Sequence, residues 1–565
     1  MADILSNSVS GLLSVQRALA TTGHNVSNAN VEGYSRQRVE MSAQMPQFMG
    51  NGYVGTGTKV DSITRNFDQF VESQLRDATS ENSRLGFLQD FASQVTGVLG
   101  DTETGVSQAS QAFFNAAGDV ASNPTDITSR QAFLNEAGAL TDRLNRVDIQ
   151  LAQLNANVGR QAGSITQEIN VFAGEVADLN DKITTAYAQD PSALPNDLLD
   201  RRDQLVRDIA NRINIRVDDD GKGSLNLAVG SGQSLVTGSV HTDLSATAVP
   251  SGVEIEIDGK SITRLVTGGD LGGIVEAQST LITPLRNQLG RTAMVVAQEV
   301  NAIQTQGFDL DGNAGEPLFS LAMEGSVIGS PRNEGNGGAT ADVTDATLLK
   351  DERYIARYDS TQSEWVIRSE KDPGSILAQV AVNGSTTAIP GLDITFDSTP
   401  VHGDALYIDS GVGAASRIST RLSDPSDVAA AGSADDGAGG TVTLGSRDNT
   451  NIQRITDLAN QSVVGQSTSD YNGSLDPDAL DGQTIGGSLA SAVGQAGSVA
   501  RSAELQGASS QAALDNLQAR KESISGVNLD EEAAKLLQYQ QQYQALARSI
   551  SISGQLFQSV LNAVR

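Results

Sequence analysis

Cysteine is missing from all 565 residues, which excludes disulfides and thiolate metal sites. A chain without thiols suits either redox compartment and travels unfolded without cross-linking. Histidine is nearly missing too. His24, His241 and His402 stand far apart, so capping or surface roles fit them better than a zinc site or a general base. Lys and Arg number 38 against 68 Asp and Glu, for a net charge of −30. Phosphate backbones and anionic bilayers need clustered cations, so no nucleic acid and no membrane partner is expected. No stretch approaches the roughly 18 consecutive apolar residues of a membrane-spanning helix. No secretory leader is visible, since Asp3 precedes any basic residue, and by pattern alone the chain reads as cytoplasmic. Aromatics are sparse at 4% while Gly reaches 57 residues, which suits Ala/Gln/Ser-rich helices joined to turn-rich β modules.

One shortage is local. From Met1 to Val31 the only charges are Asp3 and Arg17, and Ala533 to Arg565 holds no acid at all. Like-charged copies repel, so chain ends that pack against identical ends are expected to lack acids. Both ends also carry a heptad. Leu5, Leu12, Leu19 and Val26 recur every seven residues. Leu529, Ala533, Leu536, Gln540, Tyr543, Ala547, Ile550, Gly554, Phe557, Leu561 and Val564 alternate four and three. Such seams predict coiled-coil helices. Neutral flanks such as QYQQQYQ (538–544) lack the charge code of a simple dimer and permit many copies to pack side by side. The first helix is expected to stop in NVSNANVEGYSRQ (25–37), crowded with residues that end helices and make turns.

The interior alternates two periods. Apolar residues from Phe133 to Ile183 step by four and three with one stutter at Val158, predicting a long bundle helix that starts at Thr125 or Asp126 and stops at DPSALP (190–195). Helix is also expected over 67–99, from Asn196, over 271–306 and from about Gly486 onward. Ile213, Ile215 and Val217, a DDDGKG turn, and Leu225, Leu227 and Val229 predict a β-hairpin. GVEIEIDGK from Gly252 is expected to begin a second, and YIARYDSTQSEWVIRS is the clearest hairpin of a strand-rich stretch from Leu318 to Asp409. AAAGSADDGAGG from Ala429 reads as a flexible loop. The Gly-rich EGNGGA near Glu334 and DDGAGG near Asp435 resemble flexible borders of an inserted module.

Motifs for chemistry are weak. GNGYVG (50–55) matches a dinucleotide fingerprint, but an alternating, strand-like segment follows it instead of a helix, so it reads as a glycine turn. Asp258 to Ser261 lacks the upstream glycine of a phosphate loop and reads as a hairpin turn. In DLDGNAGE (309–316) the ligand spacing suits calcium, yet the glycine is misplaced and position twelve is Ser320, which favours a turn. No nucleophile elbow and no distinctive carboxylate pair occurs. No catalytic residue, metal site or cofactor is expected.

The two ends carry a resemblance. SGLLSVQRALATTGHNVSNANVEGYSRQRVE (10–40), continued by VGTGTKVDSITRNFDQFVESQLR (54–76), resembles the N-terminal signature of the axial proteins of the bacterial flagellum. SISGVNLDEEAAKLLQYQQQYQALARSISISGQLFQSVL (523–561) resembles their C-terminal signature. PNDLLDRRDQLVRDIA, LNLAVGSGQSLVTG, GGDLGGIVEA and GFDLDGNAGEPLF are similar to the hook-associated branch of that rod, hook and hook-associated superfamily. The resemblance implies an extracellular structural subunit, exported unfolded through the flagellar channel without a cleaved signal, which overrides the cytoplasmic reading. It implies a ring of identical subunits between hook and filament, with a hook protein, the next hook-associated junction protein and an export chaperone at the C-terminal helix as partners. The nearest alternative is another axial protein of hook or distal rod. A secreted adhesin or hydrolase on a coiled-coil stalk is the distant one.

The expected fold is multidomain α+β, with terminal coiled-coil helices, a long helical bundle and an inserted β-rich domain. The expected segments are an axial-core helix and turn (1–65), a helical bundle with small hairpins (66–317), the β-rich insert (318–420), a return segment (421–500) and the C-terminal axial-core helix (501–565). The assembly interface is expected at Leu5, Leu12, Leu19, Val26, Asn28, Gly33, Tyr34, Leu529, Leu536, Tyr543, Ile550, Phe557 and Leu561.

Overall fold

A computed structural model describes residues 2–48, 52–99, 105–191, 193–230, 232–249, 252–330, 332–397, 399–435, 441–466 and 482–563. Its helices are α1 (Ala2–Ser27), α2 (Gln69–Leu99), α3 (Val106–Ser122), α4 (Ile127–Gln189), α5 (Asn196–Arg212), α6 (Gly269–Ala277), α7 (Thr283–Gln306), α8 (Thr450–Leu458), α9 (Ile485–Ser525) and α10 (Leu529–Ala563).

The spine is α4. Asp126 caps it, its carboxylate accepting from the backbone N–H of Thr128 at 3.3 Å and Ser129 at 3.0 Å, a cap worth about 1 kcal/mol. It ends at Asp190, because the residue before Pro191 is biased away from helical backbone. Its 63 residues span about 95 Å at 1.5 Å per residue. Phe133, Leu140, Leu144, Leu151, Val158, Ile165, Ile169, Val176 and Ile183 are all buried, as the four-three spacing requires. The helix changes partners near the stutter. Before it, Asn145 donates to the carbonyls of Ala415 and Ile418, and the Arg130 guanidinium to those of Pro124 and Val428. After it, two small antiparallel sheets cover the helix. Gly159 admits Ala248, which would lie 2.9 Å from any added Cβ, and Asn170 and Asn180 bond the strand ends at Leu244 and Leu225. A spine with two neighbourhoods is therefore written in one helix.

Three sequence expectations change. Gly252–Ile257 begins the expected hairpin, turning through Asp258 and Gly259 into Lys260–Ser261, but it also pairs with Leu244–Val249 before it, so the hairpin widens into a three-stranded sheet. The helix over 271–306 is two helices joined by a π-helical turn, Gln278–Ile282, just ahead of Pro284. Proline has no N–H to donate and crowds the carbonyl four residues back, and a widened turn absorbs both. Gln278 uses that turn to accept from the N–H of Val253 at 2.8 Å. Third, Ala429 to Ala431 are buried, not a flexible loop. Ala431 exchanges backbone hydrogen bonds with Phe308, and Ser433–Asp435 pairs with Thr441–Thr443. Three small side chains in a row fit beneath the end of α7, where Gly315 is pressed against Gln304 and Ala429. Residues 436–440 of that stretch lie outside the described residues.

The strand-rich stretch forms a five-stranded and a three-stranded antiparallel sheet. They close on Trp365 and Phe396, whose rings stack with centroids 5.2 Å apart. Its Gly-rich edge is packed. A Cβ on Gly337 would stand 2.9 Å from Trp365, and the N–H of Glu334 donates to Asp404, so EGNGGA is no flexible border. The stretch is seated on α7 through backbone. A Cβ on Gly290 would lie 1.7 Å from the Gly411 carbonyl oxygen, and Asn287 accepts from the Gly411 N–H at 2.8 Å. Nearby, Arg291 donates to the Leu349 carbonyl at 2.8 Å.

Candidate assembly interface

α1 and α10 lie side by side and antiparallel: Asn25 meets Glu532 at one end, and Gly11 meets Leu546 fourteen residues along each helix. Small residues let the backbones approach. A Cβ on Gly11 would stand 3.2 Å from Leu546, and the buried positions of α1 are Ser8, Ser14, Val15, Ala18, Thr21, Thr22 and Asn25. The predicted seam sits beside this contact. Leu12 and Leu19 are half-buried, while Leu5 and Val26 are exposed. On α10, Leu536 and Ile550 are half-buried, and Leu529, Tyr543 and Phe557 are exposed, Phe557 by 57%. The side chain of Leu561 lies outside the described residues. Where the four-three pattern points to Ala533 and Gln540, both are exposed, while Glu532, one position before Ala533, and Leu546, one before Ala547, face α1. One helix pair therefore uses only part of the apolar surface that the two heptads supply. Ile4, Val9, Leu13, Leu537, Ile552, Leu556 and Val560 are also exposed. An exposed apolar stripe of this length is a candidate surface for other chains to cover.

The segment after α1 folds back. Gly33 takes φ of +80°, and any side chain there would meet Gln204 at 2.9 Å, so glycine is needed twice over. Asn28 closes the helix end by donating to the His24 carbonyl at 3.1 Å. Strands Gln37–Ala43 and Thr58–Arg65 then form a hairpin laid along α1, where Asn7 donates to the Gly55 carbonyl at 3.0 Å. The turn after α1 is thus the elbow between a terminal coil and the body.

At the elbow, polar groups from three distant parts of the sequence converge. The Asn25 amide donates to the Gln37 carbonyl and to Glu532 Oε2, both at 2.9 Å, while its oxygen accepts from Tyr34 OH at 2.8 Å and the Gln37 N–H at 2.9 Å. The Arg36 guanidinium donates to Glu532 Oε1 at 2.9 Å and pairs with Glu531 at 2.8 Å. From the body, Asp200 accepts from the Ser35 N–H and from Arg65, each at 2.9 Å, and Arg65 also pairs with Asp203 at 2.6 Å. Burial pushes the Glu532 carboxyl upward, but hydrogen bonds from Asn25 and Arg36 and the charges of Lys535 and Arg36 outweigh it and hold it below the ordinary range. At Asp200 burial wins against the same kinds of contact, and its carboxyl is raised. Burial with the nearby acids Asp197, Asp200 and Glu532 raises the Tyr34 phenol, so it stays a donor.

A cleft of about 960 Å³ opens between the elbow and the body helices α2, α5 and α9, lined by Gly33, Leu75, Gln204, Arg207, Leu514 and Lys521 among others. The elbow rests on the body partly through hydrogen bonds, including Arg36 N–H to the Ser525 carbonyl at 2.9 Å.

Comparison with known proteins agrees with this layout. A family model described as the flagellar hook-associated protein FlgK helical domain matches residues 92–319, and one for the flagellar basal body rod FlgEFG protein C-terminal matches residues 522–563. The flagellar hook-associated protein 1 of Salmonella typhimurium is 29% identical over 577 residues, and that of Escherichia coli 29% over 571, each match spanning all of both chains. Over its whole length the chain is similar to flagellar hook-associated protein 1, and residues 92–319 match that family's helical domain. The Bacillus subtilis member is 24% identical over 97% of this chain and 96% of its own. The solved flagellar hook junction protein FlgK from Burkholderia pseudomallei shares the fold, with a TM-score of 0.68, 21% identity, and coverage of 80% of this chain and all of that one.

Asn28, Gly33 and Tyr34, expected at the assembly interface, lie at the elbow within this chain. Asn25, Arg36, Asp200 and Glu532 were missed. One signal was available: Glu532 is the last acid of the chain, standing at the mouth of a seam that otherwise excludes them.

Proposed function

We propose that this chain is a structural subunit of the bacterial flagellum that joins hook to filament, self-assembling through its terminal helices into a ring of identical copies. The observation that carries the reading is the pairing of both chain ends in one antiparallel coil with leftover apolar surface, on a chain related end to end to hook-associated protein 1. The hook protein and the next hook-associated junction protein are its axial neighbours. The match over 92–319 favours this over a hook or rod subunit, which explains the ends alone. Export proceeds through the flagellar channel without a cleaved signal, and a chaperone covers the apolar face of α10 beforehand.

Labelled antibody on isolated flagella tests the reading. Label confined to the hook–filament boundary is expected, with filament subunits shed into the medium when the gene is deleted. Label along the whole filament or on the rod overturns it. A peptide of residues 529–565 is expected to retain a small helical cytoplasmic protein from the same cells. Recovery of hook-type subunits alone would remove the chaperone from the account.

A further inference from the structure

The spine helix α4 is least covered where it changes neighbourhoods. The seam is buried at Leu151 and again at Val158, but none of residues 152–157 between them is buried. Gly159 follows at once, and the pair Gly163–Ser164 comes a turn later; bends in long helices gather at such positions and at π turns. The helix running antiparallel beside α4 is irregular at the same level. Gln278, first residue of the π turn between α6 and α7, donates to Asn155 Oδ1 at 3.1 Å, so the stutter and the π turn face each other. A groove of about 170 Å³, bordered by Phe87, Phe91, Leu154 and Val158, opens there as well. Side chains that border a gap lose contacts on that side, so this level resists bending least.

Each side of this level is tied together separately. On one side Arg286 binds Asp148 at 2.9 Å and Asn145 holds Ala415 and Ile418, which joins α7 and the base of the strand-rich stretch to the earlier part of α4. On the other, the sheet centred on Gly252–Ile257 rides on the later part, with Ala248 against Gly159 and Leu244 bonded to Asn170. Among the described residues, no strand of that sheet pairs with a strand of the strand-rich stretch. Ion pairs span the two instead. Arg332 of the strand-rich stretch donates to Glu254 at 2.5 Å and to Glu256 at 2.9 Å, and Arg264, just past the small sheet, reaches back to Glu370 at 3.8 Å. We propose that the facing stutter and π turn form a hinge in the body, and that Arg332 with Glu254 and Glu256 is the brace that holds the angle across it. The Arg332 side chain is 40% exposed. Pairs this open to water add little to folding, which suits a brace that sets an angle without holding the fold. Hinge and brace stand on the geometry of one chain's body. Only their use, letting identical copies take unlike shapes around a ring, rests on the proposed junction role.

The test uses the full chain, whose lack of cysteine lets spin labels be placed in chosen pairs. Thr361→Cys with Val171→Cys, both exposed positions, reads the strand-rich stretch against the later part of α4. Thr361→Cys with Gln131→Cys reads it against the earlier part. At low salt both distance distributions should be narrow. Arg332→Ala, or about 1 M salt on the native arginine, should widen the first at least about twofold and leave the second unchanged. Hydrogen exchange should rise at least about threefold over residues 152–163 and 278–283 in the same samples. Arg332→Glu should widen the first distribution further, and adding Glu254→Arg and Glu256→Arg, which reverses every charge of the brace, should narrow it again. No widening with Arg332→Ala, or no rescue by the reversed charges, overturns the brace. Widening of both pairs, or widening without faster exchange over 152–163, places the motion at the α7 seat and overturns the hinge. A large fall in body melting with Arg332→Ala overturns the brace too, since the ions would then hold the fold. Failure of these readouts leaves the antibody result untouched, and the reverse holds.

Discussion

The spine helix α4 and the terminal pair α1 and α10 carry the same four-three apolar period, and they end in opposite conditions. On α4 the seam from Phe133 to Ile183 is buried almost throughout, because α3, α5, the small sheets and the 413–428 segment close around it within one chain. On the terminal helices the period is as regular, but a single partner helix and a hairpin cover only the small-residue side, and Leu5, Leu13, Leu537 and Phe557 face outward. A heptad states that a stripe wants covering. It does not state by how many neighbours or from which molecule. A seam in excess of its intramolecular partners is the surface that the proposed ring of copies would cover.

The comparison breaks first if the two seams respond alike to charge. Leu144→Asp buries a carboxylate in the spine, 1% exposed in the native chain, and should cost about 3–5 kcal/mol, enough to abolish cooperative melting of the body. Circular dichroism against temperature checks this. The seat of the strand-rich stretch comes next. Gly290→Ala drives a methyl into the Gly411 carbonyl, and a cost of about 1–3 kcal/mol should appear as a lower melting temperature with faster exchange in residues 405–415. Unchanged melting would mean that the stretch hangs free of α7.

Acid sharpens the comparison, because the spine seam from Phe133 to Ile183 is lined by apolar side chains, with Asp148 paired to Arg286 beside it, while the elbow is built on carboxylates. Glu532 titrates below the ordinary carboxylate range, so its contribution is present above the unfolded value of about 4.3 and is lost as pH falls through the folded value. Asp200 has the opposite sign: its raised folded pKa means protonation relieves it first. The groups around them are Glu531, Lys535, Arg36, Arg65, Asp203, His24, Asp197 and Tyr34. The chain lacks cysteine, so a spin label on Gln541→Cys reports on α10 alone. Its mobility should rise as pH falls below the ordinary carboxylate range, before the body melts, and Glu532→Gln should remove that step. The smallest effect on the monomer is expected at the outward seam. Phe557→Asp should shift body melting by less than about 0.5 kcal/mol while abolishing ring assembly, with Gln541→Asp as the neutral control. Equal assembly by both variants would show that Phe557 is not at a copy-to-copy contact.

What could be known from the sequence alone follows the range of its signals. Period, caps and turns act over a few residues, so the span of α4, its Asp126 cap, its stop before Pro191, the hairpin at 215–229 and the helical ends were all legible. So was the glycine at position 33, since a sharp reversal after a helix calls for one. The tertiary structure alone decided which stripe of α1 meets α10, because Gly11, Ala18 and Thr22 look like the weak side of a helix until a backbone needs to come close. It alone turned Ala429 to Ala431 from a loop into core, since small residues carry no period and fit wherever a neighbour such as Gly315 leaves a shallow space. And it alone paired Asn25 and Arg36 with Glu532. Hydrogen bonds between distant segments leave no spacing to read in the sequence, for the only requirement on each residue is the partner that folding brings to it.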